Sequence, residues 1–130
     1  MDWITLINYA LVVLTIGFGA LGWLAPRYTM DTVDLKDGGS TMGRSEVRAA
    51  SGALFVVAGI GALILHTPAA FATIGFIWAG GGLGRLTSLI LDGQTRLKWI
   101  FFASEVAVAA VALAINIGGQ VVMTAAYSSL

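Results

Sequence analysis

The chain has 130 residues, of which 58% are hydrophobic and only 11% are charged, and its formal net charge is zero. A soluble domain carries about a quarter charged residues, so a soluble protein this small is excluded. The chain contains no cysteine, which excludes disulfides, thiolate metal sites and cysteine nucleophiles. We therefore expect a single domain whose solvent is lipid.

Four apolar runs follow one another, and they predict helices at residues 4–25, 47–67, 69–91 and 97–117. Each run has about 20 residues, which is the length of helix that crosses a hydrocarbon core of roughly 30 Å. No run alternates polar and apolar residues with a period of two, which argues against strands. The predicted fold class is all-α: an integral membrane bundle of four antiparallel transmembrane helices, arranged as two helical hairpins.

The connections and their charges predict an orientation. A long loop, residues 27–46, joins the first two helices, and a short turn, residues 92–96, joins the last two. Six basic residues lie on the side of these two connections, and none on the other side: Arg27, Lys36, Arg44, Arg48, Arg96 and Lys98. We therefore expect both connections in the cytoplasm and both termini on the periplasmic side of a bacterial inner membrane. Because no basic residue precedes the first run, we expect it to be a retained span rather than a signal peptide.

One arginine lies inside an apolar run, in the stretch GGGLGRLTSLILDG, residues 80–93. Arg85 lies seven residues before Asp92, and Glu105 lies seven residues after Lys98, which is about 10 Å of helix rise in each case. Because the two helices form a hairpin, Arg85 and Glu105 are expected at the same depth, where intramembrane charges pair. Snorkelling of Arg85 to the headgroups and direct contact with a ligand or ion are the alternatives.

The predicted charge cluster also includes the start of the second helix, which enters from the same side of the membrane. Its members are Glu46, Arg48, Arg85, Asp92 and Glu105. They carry two positive and three negative formal charges, so either a protonated carboxyl or a bound cation would balance the cluster.

Small residues predict where the helices pack, because they let helices approach closely in lipid. The predicted packing residues are Gly52, Gly80, Gly81, Gly84, Ala109 and Ala112. Trp78 and His66 are candidates for the lining of a ligand groove, although a lone histidine at a helix end is more often an interface residue. No pattern predicts a catalytic residue, a metal site, a cofactor or a nucleic-acid contact.

Three features together resemble a known family. The stretches GRSEVRAASGA and GLGRLTSLILDG and a glutamate in the last helix resemble a bacterial membrane family called domain of unknown function 4345, over roughly residues 44–114. The resemblance implies a four-helix membrane protein and no particular activity. The family's recurrent residues correspond to Glu46, Arg48, Gly84, Arg85, Asp92, Gly93 and Glu105. The family usually has Tyr-Gly-Gly after Arg-Ala, whereas this chain has Ser51, Gly52 and Ala53.

Three functions stay open. A non-enzymatic accessory or scaffold subunit of a larger membrane complex would use the small-residue faces. A small oligomeric transporter or channel would use Arg85 and Glu105. A lipid, quinone or pigment binder would use a groove beside Trp78. The expected partners are the lipid bilayer and either other membrane subunits or further copies of the chain.

Overall fold

The computed structural model describes the backbone of residues 1–130 and the side chains of residues 1–118 and 125–130. These described residues form helices and no β-strand. Four helices are long and apolar enough to cross a membrane: Trp3–Leu24, Met42–Leu65, Pro68–Leu91 and Arg96–Gly118. The prediction of an all-α, multi-pass membrane protein is therefore confirmed.

The helices are α1 (Trp3–Leu24), α2 (Pro26–Thr32), α3 (Met42–Arg48), α4 (Leu54–Leu65), α5 (Pro68–Leu91) and α6 (Arg96–Ser128). A π-helical turn, Ala49–Ala53, connects α3 to α4, so that the second span is helical throughout.

The region expected as a loop, residues 27–46, contains helical structure. Pro26 occupies the first turn of α2, where its fixed φ favours a helix and its missing N–H costs nothing. The helix ends shortly before Asp34, whose φ of 56° is left-handed, and the Leu35 N–H donates to the Met30 carbonyl at 2.8 Å.

The second span also begins earlier than its apolar run. It starts at Met42 instead of residue 47, because a helix can extend beyond its apolar run into a polar surface turn. The connection that is not helical is therefore much shorter than the 20 residues expected from the sequence, and it lies between α2 and α3.

The chain divides into two compact units, Tyr9–Ile64 and the combination of Met1–Asn8 with Leu65–Leu130. In the first of these units, α1 and the second span touch through glycines. A Cβ on Gly22 would collide with the Ser51 carbonyl oxygen, and a Cβ on Gly52 would lie 2.6 Å from the Trp23 nitrogen. The two backbones are therefore in direct contact, and any side chain at Gly22 or Gly52 would push them apart.

In the other unit, α5 packs against α6. The facing surfaces are small and apolar: Ala109 and Ala112 are buried, and a Cβ on Gly75 would lie 3.0 Å from the Ala112 Cβ. Ile74 is 2% exposed and is among the largest fully buried side chains. This close contact fixes α5 and α6 as one helical hairpin, which carries the candidate site.

Candidate functional site: a membrane-embedded ion pair

The turn between α5 and α6 sets the depth of every residue on the two helices. Thr95 caps α6, because its hydroxyl accepts from the Lys98 N–H at 3.3 Å. Lys98 Nζ donates to the carbonyl of Gly93 at 2.8 Å, which satisfies a backbone acceptor just beyond the end of α5. Gly93 has a φ of 86°, which an L side chain rarely adopts. These bonds hold the short turn in one conformation, so α5 and α6 have little freedom to shift along each other.

Arg85 and Glu105 form an ion pair across this hairpin. Nη2 of Arg85 donates to Oε1 of Glu105 at 3.0 Å, and the two side chains are 33% and 13% exposed. The pair expected from counting helix rise on both sides of the turn is therefore present. The pairing compensates both charges within the length of the spans, where an isolated charge is costly.

Aromatic and small residues complete the surroundings of the ion pair. The guanidinium carbon of Arg85 lies 5.2 Å from the ring centroid of Phe101, within the range of a cation–π interaction. Phe101 precedes Glu105 by one helical turn, so the same face of α6 supplies both contacts. On α5, a Cβ at Gly81 would touch the Glu105 carboxylate at 3.5 Å. The glycine thus leaves room for the carboxylate beside the α5 backbone.

Each charged group keeps one unsatisfied polar atom. Nε of Arg85 and Oε2 of Glu105 are buried and have no hydrogen-bond partner among the residues that the structure describes. A buried donor or acceptor without a partner carries a desolvation penalty that a bound ion, water or polar group would relieve. The bond between Nη2 and Oε1 therefore joins α5 to α6, and Arg85 Nε and Glu105 Oε2 are each available for a further hydrogen bond.

Asp92 lies at the end of α5, and its predicted membership of the charge cluster stays a prediction. It is the C-cap of α5 and is exposed. It is seven positions after Arg85, which corresponds to about 10 Å of helix rise. Its backbone carbonyl accepts from Lys98 Nζ at 3.4 Å, so Asp92 belongs to the turn.

Arg48 makes a contact that was not predicted. Its guanidinium Nη1 donates to the backbone carbonyl of Trp23 in the last turn of α1. The final carbonyls of a helix lack intrahelical partners, and a positive charge there is favourable to the helix dipole. Arg48 therefore caps α1. Glu46 is exposed on α3, and the predicted association of Glu46 and Arg48 with the Arg85 pair stays a prediction.

The predicted packing residues divide into two groups. Gly52, Gly81, Ala109 and Ala112 contact the neighbouring helix or are buried. Gly80 and Gly84 are exposed, and a Cβ placed on either would have no described atom within 4 Å, so they do not pack within the described part of the chain. At about 100° per residue, Gly80 lies about 100° and Gly84 about 60° around the helix from Gly81, so both lie to the sides of the line that meets Glu105.

Trp78 lies on α5, and His66 lies in the connection before it. His66 precedes the helix, has a φ of 49°, and packs edge-on against Phe71 with ring centroids 5.6 Å apart. Trp78 is half-buried near the middle of α5, ten residues after its first residue, which is about 15 Å of rise. The candidate role of Trp78 and His66 in lining a ligand groove stays a prediction.

A buried pair of amides, which was not predicted from the sequence, joins α1 to α6. Asn8 and Asn116 are 4% and 3% exposed, and each donates Nδ2 to the other's Oδ1, at 2.9 and 2.8 Å. Nδ2 of Asn116 also donates to the Ala112 carbonyl at 2.7 Å. Reciprocal bonds of this kind tie the first residues of α1 to α6. The signal that could have found the pair was an asparagine in each of two apolar runs, because a polar residue inside a span needs a partner.

The helices, their lengths and the intramembrane ion pair define a small multi-pass α-helical membrane protein. A family model described as "Domain of unknown function (DUF4345)" matches residues 4–124, and the chain belongs to this family. No curated protein and no solved structure matches the chain. The family membership predicted from two short stretches and a glutamate is therefore confirmed, and the match extends over all four spans.

Proposed function

We propose that the protein is a non-enzymatic accessory or scaffold subunit of a larger membrane complex. The observation that carries this proposal is the exposed face of α5 that contains Gly80 and Gly84. Two glycines four residues apart form a small-xxx-small motif, which allows a second helix to approach closely in lipid. No described atom of the chain uses this space.

The composition supports a non-enzymatic role. The chain has no cysteine and only one histidine, so thiol chemistry and a two-histidine metal site are absent. Among the described residues, no group of three or more metal-ligating side chains comes together. In this function, the Arg85–Glu105 pair has a structural role: it holds α5 and α6 in register, beside the exposed glycine face of α5.

The test of this proposal is to fill the glycine face and measure assembly in native membranes. The full-length protein, extracted in a mild detergent, is compared with a Gly84→Ile variant by mass measurement of the intact complex. We expect the wild-type protein in a complex with at least one other chain and the variant as a free monomer. Gly17→Ile is the matched control, because Gly17 is also exposed on a span, and a Cβ placed there would have no described atom within 4 Å. A wild-type monomer would refute the proposal.

A second candidate function is transport of an ion or small polar solute by an oligomer. It is favoured by the two buried atoms without a described partner, Arg85 Nε and Glu105 Oε2, at membrane depth. Flux into liposomes that depends on Glu105, and is lost in Glu105→Gln, would favour this function. The matched control is Asp92→Asn, which removes the same charge from the exposed turn.

We also propose the bacterial inner membrane as the location, with both termini periplasmic and the connections 27–46 and 92–96 cytoplasmic. The support is the six-to-none distribution of basic residues between the two sides. Because the chain has no cysteine, single cysteines at Ser40 and Ser129 can report the two sides with a membrane-impermeant thiol reagent. In intact spheroplasts we expect labelling at Ser129→Cys only. Labelling at Ser40→Cys only would refute the orientation.

A further inference from the structure

Three arginines line one cleft where α1 ends and α2 begins. The cleft has a volume of about 380 Å³, and its charged side chains are Arg27, Arg44 and Arg48. Arg27 is the second residue of α2, whereas Arg44 and Arg48 are one turn apart on α3 and therefore share a face. No carboxylate lines this cleft among the described residues. We propose that it binds a phosphate group, as carried by the headgroup of an anionic phospholipid.

The positive charge of the cleft is only partly compensated within the chain. Nε of Arg44 lies 3.5 Å from a carboxylate oxygen of Asp37, but this buried nitrogen makes no hydrogen bond with any described residue. Arg48 uses one nitrogen on the Trp23 carbonyl, which is a neutral group. Arg27 forms no ion pair or hydrogen bond with the described part of the chain. Like charges one helical turn apart repel, so an anion would stabilise the arrangement.

The acidic residues closest in sequence do not line the cleft. Asp31 and Asp37 line a second cleft, which shares Arg27 and also contains Lys36. Glu46 lies between the two arginines of α3 in sequence, and residues two apart on a helix do not face each other. The donors that remain therefore belong to guanidinium groups, whose planar geometry suits bidentate bonds to phosphate oxygens.

The position of the cleft favours a lipid headgroup as the source of the phosphate. Leu24, Ala25 and Pro26 form its wall at the end of one span, so the cleft opens at the level where headgroups lie. Tyr28, 62% exposed, adds an amphipathic ring of the kind found at membrane interfaces. Leu24 is 70% exposed and continues the apolar surface along which an acyl chain would extend.

The test compares two variants that each remove one positive charge from the connections between spans. The purified full-length protein in a neutral detergent is titrated with phosphatidylglycerol or with phosphatidylcholine, and bound lipid is counted by native mass spectrometry. We expect preferential binding of phosphatidylglycerol, weakened about fivefold by Arg27→Gln and unchanged by Arg96→Gln. Arg27 is the chosen position because it forms no ion pair or hydrogen bond with a described residue, so the variant is expected to fold. Arg48→Gln is less suitable because it also removes the cap of α1.

A parallel titration with inorganic phosphate distinguishes the source of the anion. Saturable phosphate binding that depends on Arg27, without preference for the anionic lipid, would support the cleft and identify a free phosphate compound as its ligand. Lipid preference without phosphate binding would support the headgroup. Two results would overturn the proposal: binding of neither probe, or equal weakening by Arg27→Gln and Arg96→Gln, which would indicate general surface charge.

Discussion

Replacing the ion pair by two methionines tests whether Arg85 and Glu105 stabilise each other. Arg85→Met leaves a carboxylate that is only 13% exposed, and we expect a loss of about 3 kcal/mol, at the lower end for breaking a buried pair. Glu105→Met leaves an arginine that is 33% exposed and can extend toward the headgroups, so we expect a smaller loss of about 2 kcal/mol. These differences follow from the unequal burial of the two side chains.

The double variant measures the coupling between the two residues. A hydrogen bond to a charged group contributes about 1.5–3 kcal/mol, and the pair has one such bond, at 3.0 Å. We therefore expect the Arg85→Met, Glu105→Met protein to lose about 2 kcal/mol less than the sum of the two single variants. The double variant no longer leaves one charge buried without its partner.

The assay is reversible unfolding in mixed micelles with increasing sodium dodecyl sulfate, followed by far-ultraviolet circular dichroism. A second cycle, with Arg85→Met and Asp92→Asn, is the control, because about 10 Å of helix rise separates these residues. Its coupling should stay below about 0.5 kcal/mol. A coupling of that size for Arg85 and Glu105 would refute the argument, because it would mean that the observed contact makes no net contribution.

Three further predictions concern the helix contacts and the first helix end. Gly22→Ala should destabilise the protein by about 2 kcal/mol or more in the same unfolding assay, because its Cβ would collide with a backbone carbonyl oxygen, whereas Gly17→Ala should stabilise it slightly. Asn116→Leu should cost about 1–3 kcal/mol by leaving the partner amide in α1 unsatisfied, and restoring stability by also replacing that partner with leucine would confirm the cause. The hydrogen bond from the Thr5 backbone N–H lowers the pKa of Asp2 below its ordinary value of 3.8. The charged Asp2 therefore stabilises the start of α1 above pH 3.8, and this stabilisation is lost as the pH falls through the lower folded pKa. Amide exchange at the helix start should detect the loss, and Asp2→Asn should remove the pH dependence, because asparagine caps a helix without titrating.

The sequence was sufficient to predict the ion pair because its two residues are only 20 positions apart, on helices joined by one short turn. Arg85 and Glu105 lie on the two helices that the same short turn joins. Counting about 1.5 Å of rise per residue on each side of the turn therefore gave equal depths in the membrane. The sequence also placed Asp92 in the connection 92–96, and the structure has it as the C-cap of α5.

The contacts that were missed depend on how distant elements meet. Asn8 and Asn116 are 108 positions apart, and nothing in either run specifies the other as its partner. The cap that Arg48 provides for α1 requires the close crossing at Gly22 and Gly52, which is set by tertiary packing. The helical period puts Gly81 on the face of Arg85, but only the structure shows that a Cβ on Gly84 would have no described atom within 4 Å.

These two faces of α5 allow the stability and the assembly of the protein to be separated. Gly81 lies against the Glu105 carboxylate, so the ion pair holds the hairpin together from one side of the helix. Gly84 lies about 100° around the helix from Arg85, where a partner helix would pack beside the ion pair and not over it. If the protein is an accessory subunit, Glu105→Met should lower the stability of the hairpin before it changes the composition of the complex. Gly84→Ile should do the reverse, because it fills an exposed surface and leaves the contact between α5 and α6 intact.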